Sequence, residues 1–184
     1  ENFMILSDSE LVEMLREPRT RREGFAVLVK QYSEKLYWKV RRIVLSHEDA
    51  NDVLQNVFIK VWNNLQNFQG KSSLSTWLYR IAINESLDFL RKQKMADMVS
   101  SDEDLSVSSR LMSDEYFDGD EIQARLQEAV ARLPEVQRTV FNLKYFEEMK
   151  YSEISQILNT SEGALKASYH LAVKKITEYL HLFD

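Results

Sequence analysis

The chain has 184 residues, a formal net charge of −5 and no cysteine, so disulfides and thiolate chemistry are excluded. Four glycines and two prolines leave little material for the turns of an all-β fold, whereas 44% hydrophobic and 29% charged residues are ordinary for a globular domain. No run approaches the ~18 apolar residues of a membrane span, and no signal-like segment opens the sequence. We therefore expect a mostly helical, cytoplasmic protein without membrane insertion.

The negative charge is concentrated in the middle of the chain. Residues 1–95 hold 15 Lys and Arg against 12 Asp and Glu, residues 96–120 hold 1 against 8, and residues 121–184 hold 8 against 9. Residues 96–120 are rich in Ser and Asp without a helical period, which is typical of a flexible linker. The sequence predicts an all-α fold of two small helical domains, 1–95 and 121–184, joined by an acidic flexible linker over 96–120.

Caps and apolar periodicity predict three helices before residue 66. Ser7 and Glu10 fit a capping box, and Pro18 ends the first helix. The second helix begins near Arg22 and carries an apolar stripe about five turns long. Ser46 is the expected N-cap of the third, whose apolar positions have the clearest helical period in the chain. These positions are Ala50, Val53, Leu54, Val57, Phe58, Val61, Trp62 and Leu65.

The opposite face of the third predicted helix is rich in amides. Asn is a poor helix former, and ordinary solvated faces favour Lys and Glu. One interpretation of this face is a docking surface, and the alternative is plain solvation. Its residues are Asn51, Asp52, Gln55, Asn56, Lys60, Asn63 and Asn64.

A loop and a fourth predicted helix then bring aromatic, polar and cationic groups together. Trp77 lies on the apolar face of this helix, while Arg80, Asn84 and Arg91 fall within about 40° of one another on a narrow polar stripe. An aromatic group beside donors and a flexible backbone suits an unstacked base. The alternative is that the cations only cover the rim of a helical core. The loop residues are Phe68, Gln69, Gly70, Lys71, Ser72 and Ser73.

The C-terminal domain is predicted to contain four short helices. The first ends near Leu133, Pro134 lies in the first turn of the second, and 146–150 is a connector. Ser152 is expected to cap a short helix over 153–158. A turn over 159–161 and a longer helix over 162–176 follow, which is the signature of a helix-turn-helix.

The long helix repeats Lys166, His170 and Lys174 every four residues on one face, which is suited to a major groove. The rest of the chain gives no sign of an active site. The three histidines are scattered, no Gly-rich phosphate loop is present, and the carboxylate pairs lie in exposed polar segments. We expect no catalytic residue, no metal site and no cofactor.

These motifs together resemble bacterial RNA polymerase sigma factors of the extracytoplasmic-function (ECF) group of the sigma-70 family. The resemblance covers nearly the whole chain. In the N-terminal domain it rests on 49–58 with Trp62, and on 75–82 with Asn84, Asp88 and Arg91. In the C-terminal domain it rests on 133–138, 151–154 and 161–163, continuing through Lys166, His170, Lys174 and Lys175.

The resemblance implies roles in the N-terminal domain. A surface of Asp49, Asp52, Gln55 and Asn56 would dock the clamp helices of the polymerase's largest subunit. The loop 68–73 would capture a flipped base of the promoter's minus-ten element. The separated strand and the upstream duplex would be supported by Trp77, Arg80, Asn84 and Arg91.

For the C-terminal domain, the resemblance implies reading of the minus-thirty-five element and contact with the flexible flap of the second-largest subunit. The DNA-binding residues would be Ser161, Glu162, Gly163, Lys166, His170 and Lys174. The linker would thread toward the RNA exit path. ECF relatives often carry more arginine on this helix, so the isolated domain should bind DNA weakly. The resemblance also implies an anti-sigma partner, commonly membrane-anchored.

The predicted function is therefore transcription initiation: binding core RNA polymerase, directing it to specific promoters and promoting their opening. Two alternatives remain open from the sequence. One is a helix-turn-helix regulator that binds duplex DNA without polymerase. The other is a helical adaptor or anti-factor that binds only protein.

Overall fold

The computed structural model describes residues 5–96 and 119–183, with side chains given for all of them except Ala96 and Phe183. Within these ranges the regular elements are α-helices with short 3-10 and π segments, and no strand occurs. The helices belong to two compact units, Glu1–Ala96 and Asp97–Asp184. The predicted all-α, two-domain fold class is confirmed. The predicted linker boundaries stay a prediction, because residues 97–118 lie outside the described ranges.

Over residues 5–96, the N-terminal unit contains four α-helices and a 3-10 turn. They are α1 (Asp8–Arg16), α2 (Arg21–Val44), α3 (His47–Asn64), the 3-10 turn Leu65–Asn67, and α4 (Leu74–Ala96). The predicted capping box at α1 is present: the Ser7 N–H donates to Glu10 Oε2 at 2.7 Å, and the Glu10 N–H donates to Ser7 Oγ at 3.2 Å. Ser46 caps α3 as predicted, by accepting from the Asp49 N–H.

The centre of the N-terminal unit is α2, which packs against α1, α3 and α4. Long apolar side chains of α2, including Leu28, Leu36 and Val40, are fully buried, which contributes roughly 1.5–3 kcal/mol each. Polar contacts also join the helices. Lys60 of α3 forms a salt bridge with Glu85 of α4, and the Tyr32 hydroxyl donates to Asp8 Oδ1 at 2.6 Å. Burial, followed by the bond to Asp8, raises the pKa of Tyr32 above its ordinary value.

The described part of the C-terminal unit, residues 119–183, also contains four α-helices. They are α5 (Glu121–Ala131), α6 (Glu135–Phe141), which continues into a π turn over Asn142–Phe146, α7 (Tyr151–Leu158), and α8 (Glu162–Leu180), followed by a 3-10 turn over His181–Phe183. One buried cluster of the core lies between α5, α6 and α8. It consists of Ala129, Val130, Leu133, Phe141, Ala172 and Ile176.

Three boundaries in this unit differ from the prediction. The short helix α7 begins at Tyr151, and Ser152 lies within its first turn. The helix starts after Lys150 because the Lys150 N–H donates to the carboxylate of Glu153, three residues further on, at 3.1 Å. Pro134 is the residue before α6 and not part of its first turn. Helix α8 continues past residue 176 to Leu180, because Tyr179 and Leu180 pack against the core.

The turn between α7 and α8 has the predicted position. Asn159 adopts a left-handed conformation with φ 50°, which ends α7. The Ser155 hydroxyl donates to the Thr160 carbonyl at 2.6 Å, and Ser161 Oγ accepts from the Ala164 N–H at 3.2 Å to start α8. The helix-turn-helix is therefore held by its own side chains at both helix ends.

Candidate nucleic-acid interface

An aromatic pair lies at the junction between the loop 68–73 and α4. The rings of Phe68 and Trp77 have centroids 5.1 Å apart and are tilted by 46°. Both side chains are half-buried, and Gln69, Gly70 and Lys71 between them are exposed. Aromatic faces at the edge of a polar loop can stack on a base, which contributes roughly 1–3 kcal/mol per base.

Two loop residues have conformational roles that the sequence did not separate from binding. Gly70 has φ +71°, a left-handed conformation that side chains other than glycine rarely adopt. Ser73 caps α4, because its Oγ accepts from the Thr76 N–H at 3.2 Å and donates to Thr76 Oγ1 at 2.8 Å. Ser73 was predicted among the base-binding residues, but its hydroxyl is already engaged in starting the helix that carries Trp77.

The polar stripe of α4 is exposed at all three predicted positions, Arg80, Asn84 and Arg91. Within the described ranges, Arg80 and Asn84 make no hydrogen bond or ion pair with another residue. Arg91 is bonded to Asp88 at 2.6 Å across one helical turn. Arg80 and Asn84 are thus free for a ligand, whereas Arg91 would have to leave its exposed, weak ion pair with Asp88 to bind one.

The predicted polymerase-docking residues lie together along α3. Asp52, Gln55 and Asn56 are exposed and Asp49 is half-buried. The start of the helix is fixed by His47, whose Nδ1 lies 2.7 Å from the Tyr37 hydroxyl and whose Nε2 lies 3.1 Å from Asn51 Nδ2. The α3 face is therefore a regular helical surface on a firmly held helix.

Beside this surface lies an apolar groove that the sequence did not reveal. Its volume is about 370 Å³, and it is lined by Arg22, Phe25, Phe58, Ile59 and Trp62. Ile59 is 57% exposed and Trp62 is 38% exposed. Periodicity assigned Phe58 and Trp62 to the apolar stripe of α3. It could not show that part of this stripe extends beyond the buried core and stays open to solvent. Only the packing of α2 against α3 shows which apolar side chains remain open.

The predicted reading face of the helix-turn-helix is exposed as a whole. Lys166, His170 and Lys174 project from the side of α8 away from its buried residues Leu165, Ala172 and Ile176. Glu162 and Gly163 are exposed in the first turn, while the Ser161 hydroxyl serves as the N-cap. The helix N-terminus and its cations together form a surface suited to an anionic duplex.

A further lysine, Lys144, lies outside α8 but contacts the same tyrosine ring as Lys166. Lys144 Nζ lies 4.7 Å and Lys166 Nζ 5.7 Å from the centroid of the Tyr151 ring. The ring of Tyr169 is stacked on Phe141 at 5.8 Å, and burial raises the pKa of Tyr169. Sequence reasoning missed Lys144, because the π turn that brings it to Tyr151 has no periodic signature.

The comparisons with known proteins match both units. The family model described as Sigma-70 region 2 matches residues 28–95, and the one described as Sigma-70, region 4 matches residues 123–176. The ECF RNA polymerase sigma factor SigW of Bacillus subtilis is 33% identical, covering 80% of this chain and 84% of that protein. The RNA polymerase sigma-H factor of Pseudomonas aeruginosa is 31% identical, covering 94% of this chain and 93% of that protein.

Two solved structures share the fold. CnrH, solved in complex with the cytosolic domain of CnrY, has a TM-score of 0.61 at 19% identity and covers 96% of both chains. RpoE of Bartonella quintana, solved with the anti-sigma factor NepR, has a TM-score of 0.67 at 20% identity and covers 86% of this chain and 98% of that one.

The two regions, in this order and on these two helical units, define a transcription initiation factor of the sigma-70 type. The chain belongs to the sigma-70 family of RNA polymerase sigma factors, in its ECF group. Sigma factors are initiation factors and not enzymes. In the described part of the chain, no helix has the length and apolar character that a bilayer crossing requires.

Proposed function

We propose that this sigma factor recruits core RNA polymerase to a dedicated set of promoters through two separate DNA readers and helps to open them. The observation that carries the proposal is that each unit matching a sigma-70 region also exposes a group of side chains suited to one form of DNA. Opening needs no nucleotide hydrolysis by this chain. Part of the unstacking cost, about a few kcal/mol per base, is offset by binding of the extruded base.

The minus-ten reader is the loop 68–73 with α4. An extruded base enters between the loop and the Phe68 and Trp77 rings, and Gln69, Lys71 and Ser72 offer donors to its edge. Arg80 and Asn84 then hold the separated strand along the polar stripe of α4, with Arg91 at the upstream duplex. This assignment is supported by the 5.1 Å ring pair and the exposure of these donors.

The minus-thirty-five reader is α8. Lys166, His170 and Lys174 enter the major groove, while Ser161, Glu162 and Gly163 at the helix start lie near the DNA backbone. Lys144 adds a cation beside Lys166. This reader alone binds weakly, because its few cations can neutralise only a few phosphates. Each neutralised phosphate adds about 0.9 to the magnitude of the slope of log affinity against log salt. Attachment to the polymerase is therefore required for promoter selection.

The polymerase-binding surface is the α3 face of Asp49, Asp52, Gln55 and Asn56, which docks the clamp of the largest subunit. The adjacent apolar groove at Phe58 and Trp62 supports this assignment, because a partner that covers it removes exposed apolar surface from water. The C-terminal unit contacts the flap of the second-largest subunit.

We also propose control by an anti-sigma factor. The RpoE structure is a complex with an anti-sigma factor, and the CnrH structure is a complex with the cytosolic domain of CnrY. A membrane anchor would belong to this partner, and the sigma factor itself would act in the cytoplasm. The chain takes part in no catalysis and carries no cofactor in this scheme.

Run-off transcription tests the proposal. The purified chain is mixed with core RNA polymerase and with genomic fragments recovered by genome-wide mapping of its binding sites after induced expression. Specific transcripts are expected from fragments bound in the presence of core. No transcript from any mapped fragment would refute the proposal. Tight duplex binding by the isolated chain, unchanged by core, would identify a polymerase-independent regulator. Unchanged activity after replacement of Lys166, His170 and Lys174 would indicate a protein-only adaptor.

A further inference from the structure

The last residue of α1, Arg16, reaches the loop of the minus-ten reader. A Cβ atom built on Gly70 would lie 3.3 Å from Arg16 Nη2. Outside residues 69–71, no other atom of the described residues would lie within 4 Å of that Cβ. This closeness follows from the fold, because α1 packs against both the 3-10 turn before the loop and α4 after it. The guanidinium therefore lies directly beside the exposed backbone of the loop.

The Arg16 guanidinium is not engaged elsewhere. Its side chain is exposed, and it makes no hydrogen bond or ion pair with any described residue, although Glu13 and Glu17 are close in sequence. The C-terminal carbonyls of α1 are satisfied by a different arginine: Arg21 donates through Nε to the Leu15 carbonyl at 2.9 Å and through Nη2 to the Arg16 carbonyl at 3.2 Å.

A purely structural role accounts for only part of this arrangement. A cation in the last turn of α1 is favoured by the helix dipole, but that effect does not require the side chain to extend to Gly70. With the helix end already capped by Arg21, the five N–H groups of the Arg16 guanidinium are available to a ligand. A planar guanidinium at an exposed loop is suited to phosphate oxygens, which it can bind with two parallel hydrogen bonds.

We infer that Arg16 binds the phosphate backbone of the single strand whose base enters the loop 68–73. The inference rests on the proposed minus-ten reader and extends it to a helix outside residues 28–95, the range that matches Sigma-70 region 2. Lys71 lies one residue beyond Gly70, so the strand passes between two cations from different segments. Glycine at position 70 serves this contact twice: it adopts φ +71°, and it leaves room for the guanidinium.

The test uses the full chain bound to core polymerase, and a labelled fork-junction fragment of a promoter that gives run-off transcripts. This fragment is single-stranded from the minus-ten element downstream. Arg16→Ala is expected to weaken holoenzyme binding to the fork about fivefold to tenfold near 0.1 M salt. It should also reduce the slope of log affinity against log salt by about 0.7, the value for one phosphate contact on a single strand.

Three controls make the result specific. Arg16→Lys retains the charge and should retain most of the salt slope. Arg19→Ala removes an exposed arginine three residues later, in the connection between α1 and α2, and should leave both affinity and slope unchanged. A fully duplex fragment, bound before opening, should not distinguish Arg16→Ala from the unaltered chain.

Two outcomes would overturn the inference. The first is identical fork binding by Arg16→Ala and Arg19→Ala. The second is that Arg16→Ala, but not Arg19→Ala, weakens binding to core polymerase or lowers the thermal unfolding midpoint. Arg16 would then have a structural role. A failure of the proposed function is recognised separately, since the unaltered chain would then give no run-off transcript from any mapped fragment.

Discussion

The two proposed DNA readers of this sigma factor are built on different principles. In the C-terminal unit, the reading groups Lys166, His170 and Lys174 repeat every four residues along one rigid helix. In the N-terminal unit, they come from a loop, from one side of α4 and from the end of α1, and they include the aromatic pair Phe68 and Trp77. A duplex offers a regular groove that a straight helix can follow, whereas an extruded base needs a stacking surface and a loop that closes around it.

The difference predicts different sensitivities. The helix reader should lose affinity in small, separate steps as single cations are removed, because each makes its own contact with an anionic polymer. The loop reader should lose much of its DNA binding when one ring or one backbone angle is changed, because the base is held by all parts of the site at once.

Removing the ring at the start of α4 should have the largest effect. Trp77→Ala deletes a stacking face and leaves Phe68 without its partner, so we expect promoter opening to fall about tenfold to a hundredfold. Opening is measured by permanganate reactivity of unpaired thymines in the holoenzyme–promoter complex. Trp77→Phe should recover most of the signal. Equal opening by Trp77→Ala and the unaltered chain would remove the aromatic pair from the minus-ten reader.

A pair of glycine substitutions compares the loop with the helix directly. Gly70→Ala places a side chain at φ +71°, which costs roughly 1–2 kcal/mol, so we expect lower stability and about fivefold to tenfold weaker fork binding. Gly163→Ala lies in the first turn of α8 with nothing within 4 Å of the added Cβ, and it should raise stability by about 0.5–1 kcal/mol.

Urea unfolding and fork-junction binding measure both glycine variants. The contrast would fail if Gly70→Ala left fork binding unchanged while it lowered stability, because the loop conformation would then serve the fold alone.

A single lysine of α8 should have a moderate and salt-dependent effect. Lys166→Ala should weaken holoenzyme binding to duplex minus-thirty-five DNA about threefold to tenfold and reduce the salt slope by about 0.9. Lys175→Ala is the matched control, because this exposed lysine lies about 180° around the same helix from Lys166. Equal losses in the two variants would indicate a diffuse charge effect instead of a reading face.

The ion pair between α3 and α4 should give the smallest effect. Lys60→Ala is expected to lower the free energy of unfolding by less than about 1 kcal/mol, since the lysine is half-exposed. The hydrogen bond to Glu85 raises the pKa of Lys60 above its ordinary value of 10.5. Its contribution is therefore complete at neutral pH and is lost as the pH rises through the raised pKa of Lys60. A double-mutant cycle with Glu85→Gln, followed by urea unfolding, measures the coupling energy of the pair, and a coupling clearly above about 1 kcal/mol would contradict the weak contribution expected.

Much of the fold could be predicted because its signals are local. Ser7 and Ser46 cap the helices that they were expected to cap, and the turn at 159–161 lies where Asn159 can adopt a left-handed conformation. The errors occurred where a distant or competing group decided the boundary. The bond from the Lys150 N–H to Glu153 starts α7 before Ser152, and core contacts of Tyr179 and Leu180 extend α8.

Some of the functional surfaces could likewise be predicted from local signals, and others could not. The cations of α8 and the polar stripe of α4 follow from helical spacing, since residues four apart share a face in any α-helix. Arg16 at Gly70 and the apolar groove at Trp62 do not, because each joins segments that are far apart in sequence. Lys144 at Tyr151 does not either, because the π turn that contains Lys144 has no periodic signature.

Caps, periodicity and motif order are properties of neighbouring residues, so the helices, their division into two units and the resemblance to sigma-70 factors could be predicted from the sequence. The folded chain was needed to show which apolar side chains stay exposed, that Ser73 starts α4, and that a cation from α1 lies against the loop 68–73. These features depend on packing, which fixes the distances between separate helices through the whole set of contacts and not through any one segment.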